Sequence, residues 1–462
     1  MATTNCPTIG RSSVQSVYVE VEDVPGILQR PTAAGFIVPS DQSSMSQTPT
    51  SSNSTELGRS LNVTAQFQDA VAAGDVSIPM YLCLNSDYSA PQGDALFTAA
   101  MGELQPPDTV TASLKESLTD KAVEIKIDTV SGGFLPSRGV VLIESEKILY
   151  TGKTENLGET TLTGCQRGYG GTSAAAHDAL TSMTYKSRVW MQSICRPTVS
   201  VWIEFDHAVL FMSGCAVTAT TLPMGNQGGQ MCTFTLQGRK MGWCGTGEIS
   251  SVSGSVITLE DDLANAYRVG GIIKNATKKD DNSGSGYTIT AVDVDASTIT
   301  VSPQPSGWMK GDMLKPWLPE ASGIGVPVES RNARVFINGA AGTRREGDIT
   351  INTPTTFAQE IGDEFPGENA DSKREISVSG GTYFRAIDAK QFGLGYDGYE
   401  LPMTVRFGDR AGNALALLFP RMKFNAPTIS ADGEFYTLTQ DGTALGVPEE
   451  RGGESSLYLI QE

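Results

Sequence analysis

Residues 198–242 read TVSVWIEFDHAVLFMSGCAVTATTLPMGNQGGQMCTFTLQGRKMG, and the order of their features recurs over residues 402–446. Each copy begins with an alternating run: Val199, Val201, Ile203 and Phe205 in the first, Met403, Val405 and Phe407 in the second. Alternate side chains of a strand share a face, so both runs read as half-buried strands. A charged turn follows (Asp206 and His207; residues 409–413), then an apolar strand (209–212; 414–419) and a semi-polar strand (215–221; 422–426). A turn rich in Gly and Pro leads to a last alternating strand (231–237; 434–439) and a glycine-bearing tail. Identity between the copies is low, and the match lies in the order of elements. The pattern reads as one β-module duplicated, which moves the question from an active site to what is built of paired β-modules.

Working outward, residues 16–22 (SVYVEVE) alternate as a strand and stop at Pro25 and Gly26. Residues 31–58 are rich in Ser, Thr, Gln and Pro, a composition that cannot bury enough apolar surface to fold alone. It suits a floppy linker or an arm that orders against a neighbouring subunit. Strands are expected over 61–67 and 76–84, then a short helix over 94–102 capped by Asp94 and ended by Gly102, with Leu96, Phe97, Ala100 and Met101 on one face. The counterpart in the second half is a helix over 382–393 with Phe384, Ile387, Asp388 and Gln391 on one side, preceded by strands at 332–339 and 347–352. The last residues end in SLYLI, an apolar strip that would be a sticky edge if left alone.

Two stretches interrupt this scheme. Residues 108–187 hold expected strands at 122–129, 140–143 and 147–150 and the phrase RGYGGTSAAAH, which lacks the strand and helix context of a phosphate cradle and reads as a loop set by Gly168, Gly170 and Gly171. Residues 247–322 hold strands at 249–259, 271–274, 287–292 and 298–302, with Trp308 and Trp317 placed to seal a small barrel. The expected fold is mainly β: two tandem β-sandwich or half-barrel modules, each with one short helix, plus two small inserted β-domains. The expected boundaries are 1–107 (first part of module 1, with the polar arm 31–58), 108–187 (insert), 188–246 (second part of module 1), 247–322 (insert) and 323–462 (module 2).

Composition narrows the function. The 462 residues carry 52 acids against 34 bases, a net charge of −18, which argues against direct wrapping of nucleic acid because phosphate binding needs Lys and Arg to displace counterions. Seven scattered Cys without a CxxC pair read as reduced core thiols. No apolar run is long enough to span a bilayer and the first residues lack a signal-peptide core, so a soluble protein made in a cytoplasm is expected, without membrane contact. The two histidines, His177 and His207, sit in no recognisable catalytic context, and Cys195, Cys215, Cys232, Cys244 and His207 lack metal-ligand spacing. No enzyme, cofactor or metal site is expected.

Residues 16–103 resemble the opening of tailed-bacteriophage tail tube proteins: YVEVE, Pro-Gly, a long polar loop, ELGRSLNVTAQF, GDVSIPMYL and DALFTAAMGE. The strand set at 198–242 resembles the remainder of that domain, and RGYGGTSAAAH has the look of short phrases in phage tail proteins. The resemblance implies a β-sandwich or half-barrel whose copies join edge to edge into rings around a β-barrel channel for DNA. It implies a location in the virion tail after assembly in the host cytoplasm. The implied partners are further copies of the chain, the tape measure, tail terminator and tail-tip proteins, and double-stranded DNA that passes without specific binding. Single-module tube proteins form hexameric rings, so a chain with two modules is expected to form trimers of pseudo-sixfold symmetry, the inserts outside. Ser200, Glu204 and Asp206 are the candidates to face the channel. Ser43, Ser44 and Gln47 in the arm, and Asp363, Glu364 and Glu368 in the charged loop 362–375, are the candidates for contacts between rings. The competing reading is a carbohydrate-binding, adhesin-like β-protein using exposed Trp190, Trp202, Trp243, Trp308 and Trp317.

Overall fold

The computed structural model describes residues 15–55, 63, 65–85, 90–105, 110–128, 135, 139–156, 158–169, 172–185, 188–225, 227–260, 263–321, 325–338, 340–342, 344–410, 413–447 and 455–461. The fold is mainly β, and every strand ladder is antiparallel. The framework of the first half comprises β1 (Gln15–Val21), β2 (Ser44–Ser46), β3 (Gly74–Tyr81), α1 (Asp94–Met101), β4 (Arg188–Gln192), β5 (Val199–Phe205), β6 (Ala208–Met224), β7 (Met231–Gly238) and β8 (Lys240–Cys244). The second half supplies β9 (Arg334–Ile337), β10 (Gly347–Asn352), β11 (Glu375–Val378), β12 (Gly381–Tyr383), α2 (Lys390–Tyr396) and β13 (Glu400–Arg410). It continues with β14 (Asn413–Phe424), β15 (Thr428–Asp432), β16 (Phe435–Thr439), β17 (Gly442–Ala444) and β18 (Tyr458–Gln461).

The two halves share one pairing scheme. β1 lies on β5 as β9 lies on β13, β2 on β3 as β10 on β11, and β5 on β6 as β13 on β14. Even an irregularity is repeated. Val199 opposes Cys215 while Val201 opposes Met212, and Leu401 opposes Met422 while Met403 opposes Phe419, the same one-residue slip in both long hairpins. Such a bulge bends its strand and raises the local twist. β6 runs through the slip as one strand where two were expected, and β14 does the same.

Beyond the bend, β6 has β7 on one edge and β10 of the second half on the other. One sheet thus crosses from module to module in the order β2, β3, β7, β6, β10, β11, β17, β14. After a break near residues 379–380, 425–427 and 440–441, β12, β16 and β15 continue β11, β17 and β14. One face of this sheet is core, including Val76, Ile78, Phe234, Leu236, Leu222, Ile349, Ile351, Ile376 and Phe424. Each such side chain removed from water contributes about 1.5–3 kcal/mol.

Helix α1 covers this core with Leu96, Phe97, Ala99, Ala100 and Met101, and the Phe97 ring stands edge-on to Phe234 at 5.3 Å. Asp94 does not cap it, contrary to expectation. Gly93 holds the cap position at φ 76°, a left-handed conformation that suits glycine, and Asp94 instead binds Arg188 (2.5 Å) and the Trp190 indole (3.1 Å). The helix expected over 382–393 is also displaced: 3-10 turn Ala386–Ala389 leads into α2, which buries none of its residues. Gly393 and Gly395 interrupt α2, and Tyr396 is left exposed, so no continuous apolar stripe forms.

The arm is structured within the chain. β2 pairs with β3, and Ser51–Asn53 pairs antiparallel with Gln66–Gln68, while residues 56–62 and 64 lie outside the described residues. The SLYLI strip becomes β18, held between β14 and β4, so its edges are closed.

Between residues 110 and 185, a four-stranded and a three-stranded sheet enclose Leu114, Ile125, Ile143, Ile148, Tyr150 and Leu162, and this core continues onto Leu418 and Ile460. Residues 247–316 form a closed six-stranded barrel. The single strand expected over 249–259 is a hairpin there, turning at Gly254 with φ 64°. Trp308 fills the barrel core, whereas Trp317 leaves it to pack with Tyr18, Trp202 and Phe211 of the first module.

Candidate functional site

The face of the inter-module sheet opposite the core is its most distinctive surface. At one level the opposed residues are Ser44, Ser77, Thr235, Ala219, Asn352 and Glu375. At the next they are Pro79, Thr233, Thr221, Thr350, Ser377, Thr443, Lys423 and Glu400. Period-two alternation produces this: in GDVSIPMY, MCTFTLQG, GDITIN and EISV the apolar positions turn to the core and the others turn out. The outward residues are partly or fully exposed.

Asp75, Asp348, Glu375, Glu400 and Asp432 lie on this face with Lys423, Arg421 and Arg345 as cations; Arg421 is paired with Glu400 at 2.7 Å and Arg345 with Asp432. Short hydroxyls dominate the rest. Gln237 donates to Asp75 at 3.2 Å, and Thr218 donates to the Thr235 carbonyl at 3.1 Å, so part of the polar surface is pinned from within. A wall of this chemistry is wettable, weakly acidic and poor in the Lys and Arg that hold phosphates.

The modules are locked behind this face by charge. Arg196, almost fully buried, forks onto Asp371 at 2.6 and 2.8 Å and donates to the Val217 carbonyl at 2.6 Å and to Thr355 at 3.2 Å. Burial would raise the Asp371 carboxyl, but the Arg196 fork and the Thr355 hydroxyl outweigh it and hold the group below the usual carboxylate range. Arg374 donates to the Met101 carbonyl at 3.2 Å, and burial, with the Arg196 charge beside it, lowers its guanidinium to about 10.

The residues expected from sequence to face a channel lie off this polar face. Ser200 is completely buried, and that expectation is corrected. Its hydroxyl donates to Glu22 at 2.7 Å and accepts from the Gln29 amide at 2.9 Å. Glu22 itself is buried and satisfied, accepting also from Thr198 (2.6 Å) and from the backbone of Gly26 (2.6 Å) and Gly214 (2.7 Å). β5 has core on both faces, which is why its alternation misled. Glu204 accepts a hydrogen bond from Ser16, and Asp206 sits half-buried in the hairpin turn at φ 51°. None of the three is on the polar face of the inter-module sheet.

Of the expected contact residues, Ser43 is buried, its backbone held by the Gln15 side-chain amide at 2.8 and 2.9 Å, so it is not free for a contact between rings as proposed. Ser44 is exposed on β2. Gln47 is tied down by the Ala72 and Arg239 carbonyls and the Met241 amide at 2.8–2.9 Å. Asp363, Glu364 and Glu368 are exposed, in a loop joined to the base of the arm by the Val71 amide on the Glu364 carbonyl at 2.8 Å.

RGYGGTSAAAH organises a buried ion cluster. Arg167 grips Glu146 at 2.6 and 2.8 Å, and His177 (2.8 Å), the Gly168 amide (2.9 Å) and the Ala175 amide (3.1 Å) complete it. Burial pushes the Glu146 carboxyl up, but these donors, Arg167 first, overcome it and bring the group to about 2. Gly168 has φ 62°, while Gly170 and Gly171 lie outside the described residues.

Five of the six described cysteines are buried and unpaired, Cys195 being exposed. Among the described residues no group of three or more His, Cys, Asp or Glu is placed to hold a metal ion. Among the described residues no helix is long and apolar enough to cross a membrane. Trp190, Trp202, Trp308 and Trp317 are buried, and half-buried Trp243 lies under Arg268 at 4.0 Å, so the tryptophans expected to be exposed for sugar binding do not form an open platform. No protein-family model matches the chain, and no curated protein matches it.

Proposed function

We propose that this chain is the major tail tube subunit of a tailed bacteriophage, three copies closing into a ring of six modules whose stacked rings form the channel for DNA. The observation that carries the reading is the single sheet that crosses both modules, apolar and helix-covered on one face, hydroxyl-rich and weakly acidic on the other. In this reading the outward face lines the channel, through Asp75, Thr235, Thr221, Asp348, Thr350, Glu375 and Ser377 rather than through β5. DNA passes such a wall without specific binding, because few cations replace its counterions. Ring closure also removes the strand edges that would otherwise template aggregation. The tape measure, terminator and tip proteins are the expected neighbours, and the chain acts as a structural element without catalysis.

Negative-stain electron microscopy across a concentration series, with mass measurement of the particles, tests this. Hollow rings or tubes of three chains per ring are expected. Rings of six complete chains, or a protein that forms neither ring nor tube even when co-expressed with tail-tip partners, would overturn it.

A further inference from the structure

The duplication leaves two strands whose counterparts are paired but which are themselves open on one side. Beyond the shared slip, Cys215 corresponds to Met422, so residues 219–224 of β6 correspond to residues 426–431, which enter β15. In β6 this segment carries β7 on one edge and β10 on the other. Among the described residues, β15 pairs with β16 only, and all five of its residues are exposed. Likewise β10 opposes β11 through Thr350 and Ser377, Ile351 and Ile376, and Asn352 and Glu375. β2 opposes β3 in the same pattern, Ser44 with Ser77, Met45 with Val76 and Ser46 with Asp75. β10 has β6 on its second edge, and β2 has no second described strand. β2 and β15 are the first and last strands in the order of the sheet.

We infer that β15 of one chain pairs antiparallel with β2 of a second copy, repeating between chains the β6 to β10 ladder found within one. The inference rests on the tube reading only for closure of the ring. The register follows from the internal joint. Thr221 opposes Thr350 and Pro223 opposes Asp348, so Thr428 opposes Ser44 and Ser430 opposes Gln42 across the chain boundary. Thr428 and Ser44 then extend the hydroxyl-rich face without interruption. The other face supplies a reason to pair: Ile429 and Tyr436 are 45% and 63% exposed although they stand on the side that elsewhere in this sheet is core. Ser44, counted from sequence among contacts between stacked rings, becomes a contact within a ring.

The test uses the full chain in a Cys6→Ser/Cys195→Ser background carrying Ser44→Cys and Thr428→Cys together. Directly opposed residues of antiparallel strands lie about 4.5–5.5 Å apart, within the roughly 4.4–6.8 Å that a disulfide spans. Mild oxidation followed by non-reducing electrophoresis should give covalent multimers ending at three chains, at least about tenfold above a register-shifted control, Ser44→Cys with Asp432→Cys. Rings that form without preferential cross-linking of the matched pair overturn this joint and leave the tube reading standing. Matched cross-links in open chains that never close support the joint and overturn the ring. Neither cross-links nor rings overturns the joint. As a second variant, Ile429→Lys places a charge in the inferred contact. It should abolish assembly while shifting the melting temperature of the monomer by no more than about 2 °C, and normal assembly of this variant would also overturn the joint.

Discussion

Glu146→Gln removes the charge at the centre of the buried cluster formed by Glu146, Arg167 and His177. The carboxyl is fully enclosed, and its titration falls from the ordinary 4.5 to about 2 on folding, a difference worth about 3 kcal/mol. Removing one member of a buried pair costs about 3–5 kcal/mol because the other charge stays buried, so the two routes agree. Since the folded carboxyl titrates below the unfolded one, this stabilisation is complete above the unfolded value and is lost as pH falls toward 2. Urea unfolding followed by fluorescence is the assay. With a slope of about 2 kcal/mol/M, the transition that reports residues 110–185 should fall by roughly 1.5 M at pH 7. The gap between variant and natural protein should close as pH approaches 2. An unchanged midpoint at pH 7, or a gap that stays constant down to pH 2.5, would refute the reasoning.

Four further outcomes follow from the same structure. Replacing Asp75, Asp348 and Glu375 together by Lys should make the outward face retain DNA that the natural protein is expected to let pass, the salt dependence of retention steepening by about 0.9 per phosphate contacted; equal retention by the natural protein sinks the assignment of that face. Arg196→Met leaves Asp371, about one-fifth exposed, without its fork and should cost about 2–4 kcal/mol in urea unfolding, with a lower yield of any ring. Phe97→Ala, at the centre of the core under α1, should cost about 3–5 kcal/mol by the same measurement. Burial raises the Cys83 thiol to about 11 and Cys165 to about 12, so in the native state neither should react with a thiol reagent at pH 8, whereas Cys195 should.

The long hairpins were legible because alternation and turn chemistry are local: Val199 to Phe205 and Met403 to Phe407 announce strands without reference to anything distant. Helix α1 was legible for the same reason. The helix expected near Thr382 was not, because Gly381–Tyr383 joins a ladder as β12, α2 buries none of its residues, and Gly393 and Gly395 weaken the segment's helical preference. The polar outward face was sought on β5, where Ser200 is buried, although GDVSIPMY, MCTFTLQG and GDITIN already carry Ser, Thr and Asp at alternate positions. That signal could have been read. Which alternating strand has water on its second face is decided by partners more than a hundred residues away, such as β10 against β6, and Ser200 is buried for that reason. The role of Glu146 was equally hidden, since Arg167 and His177 reach it only through the fold.

The ladder between β6 and β10 bears on assembly kinetics. Every junction between separate molecules costs about 4–15 kcal/mol of translational and rotational freedom before any contact is rewarded. A junction tethered within one chain escapes most of that cost through its high effective concentration. A six-module ring drawn from fused pairs has half its seams already made when the chain folds, so closure leaves three seams to form between molecules in place of six. Because the fused halves carry different outgrowths, such a ring would count as six to whatever passes through it and as three to whatever touches it from outside.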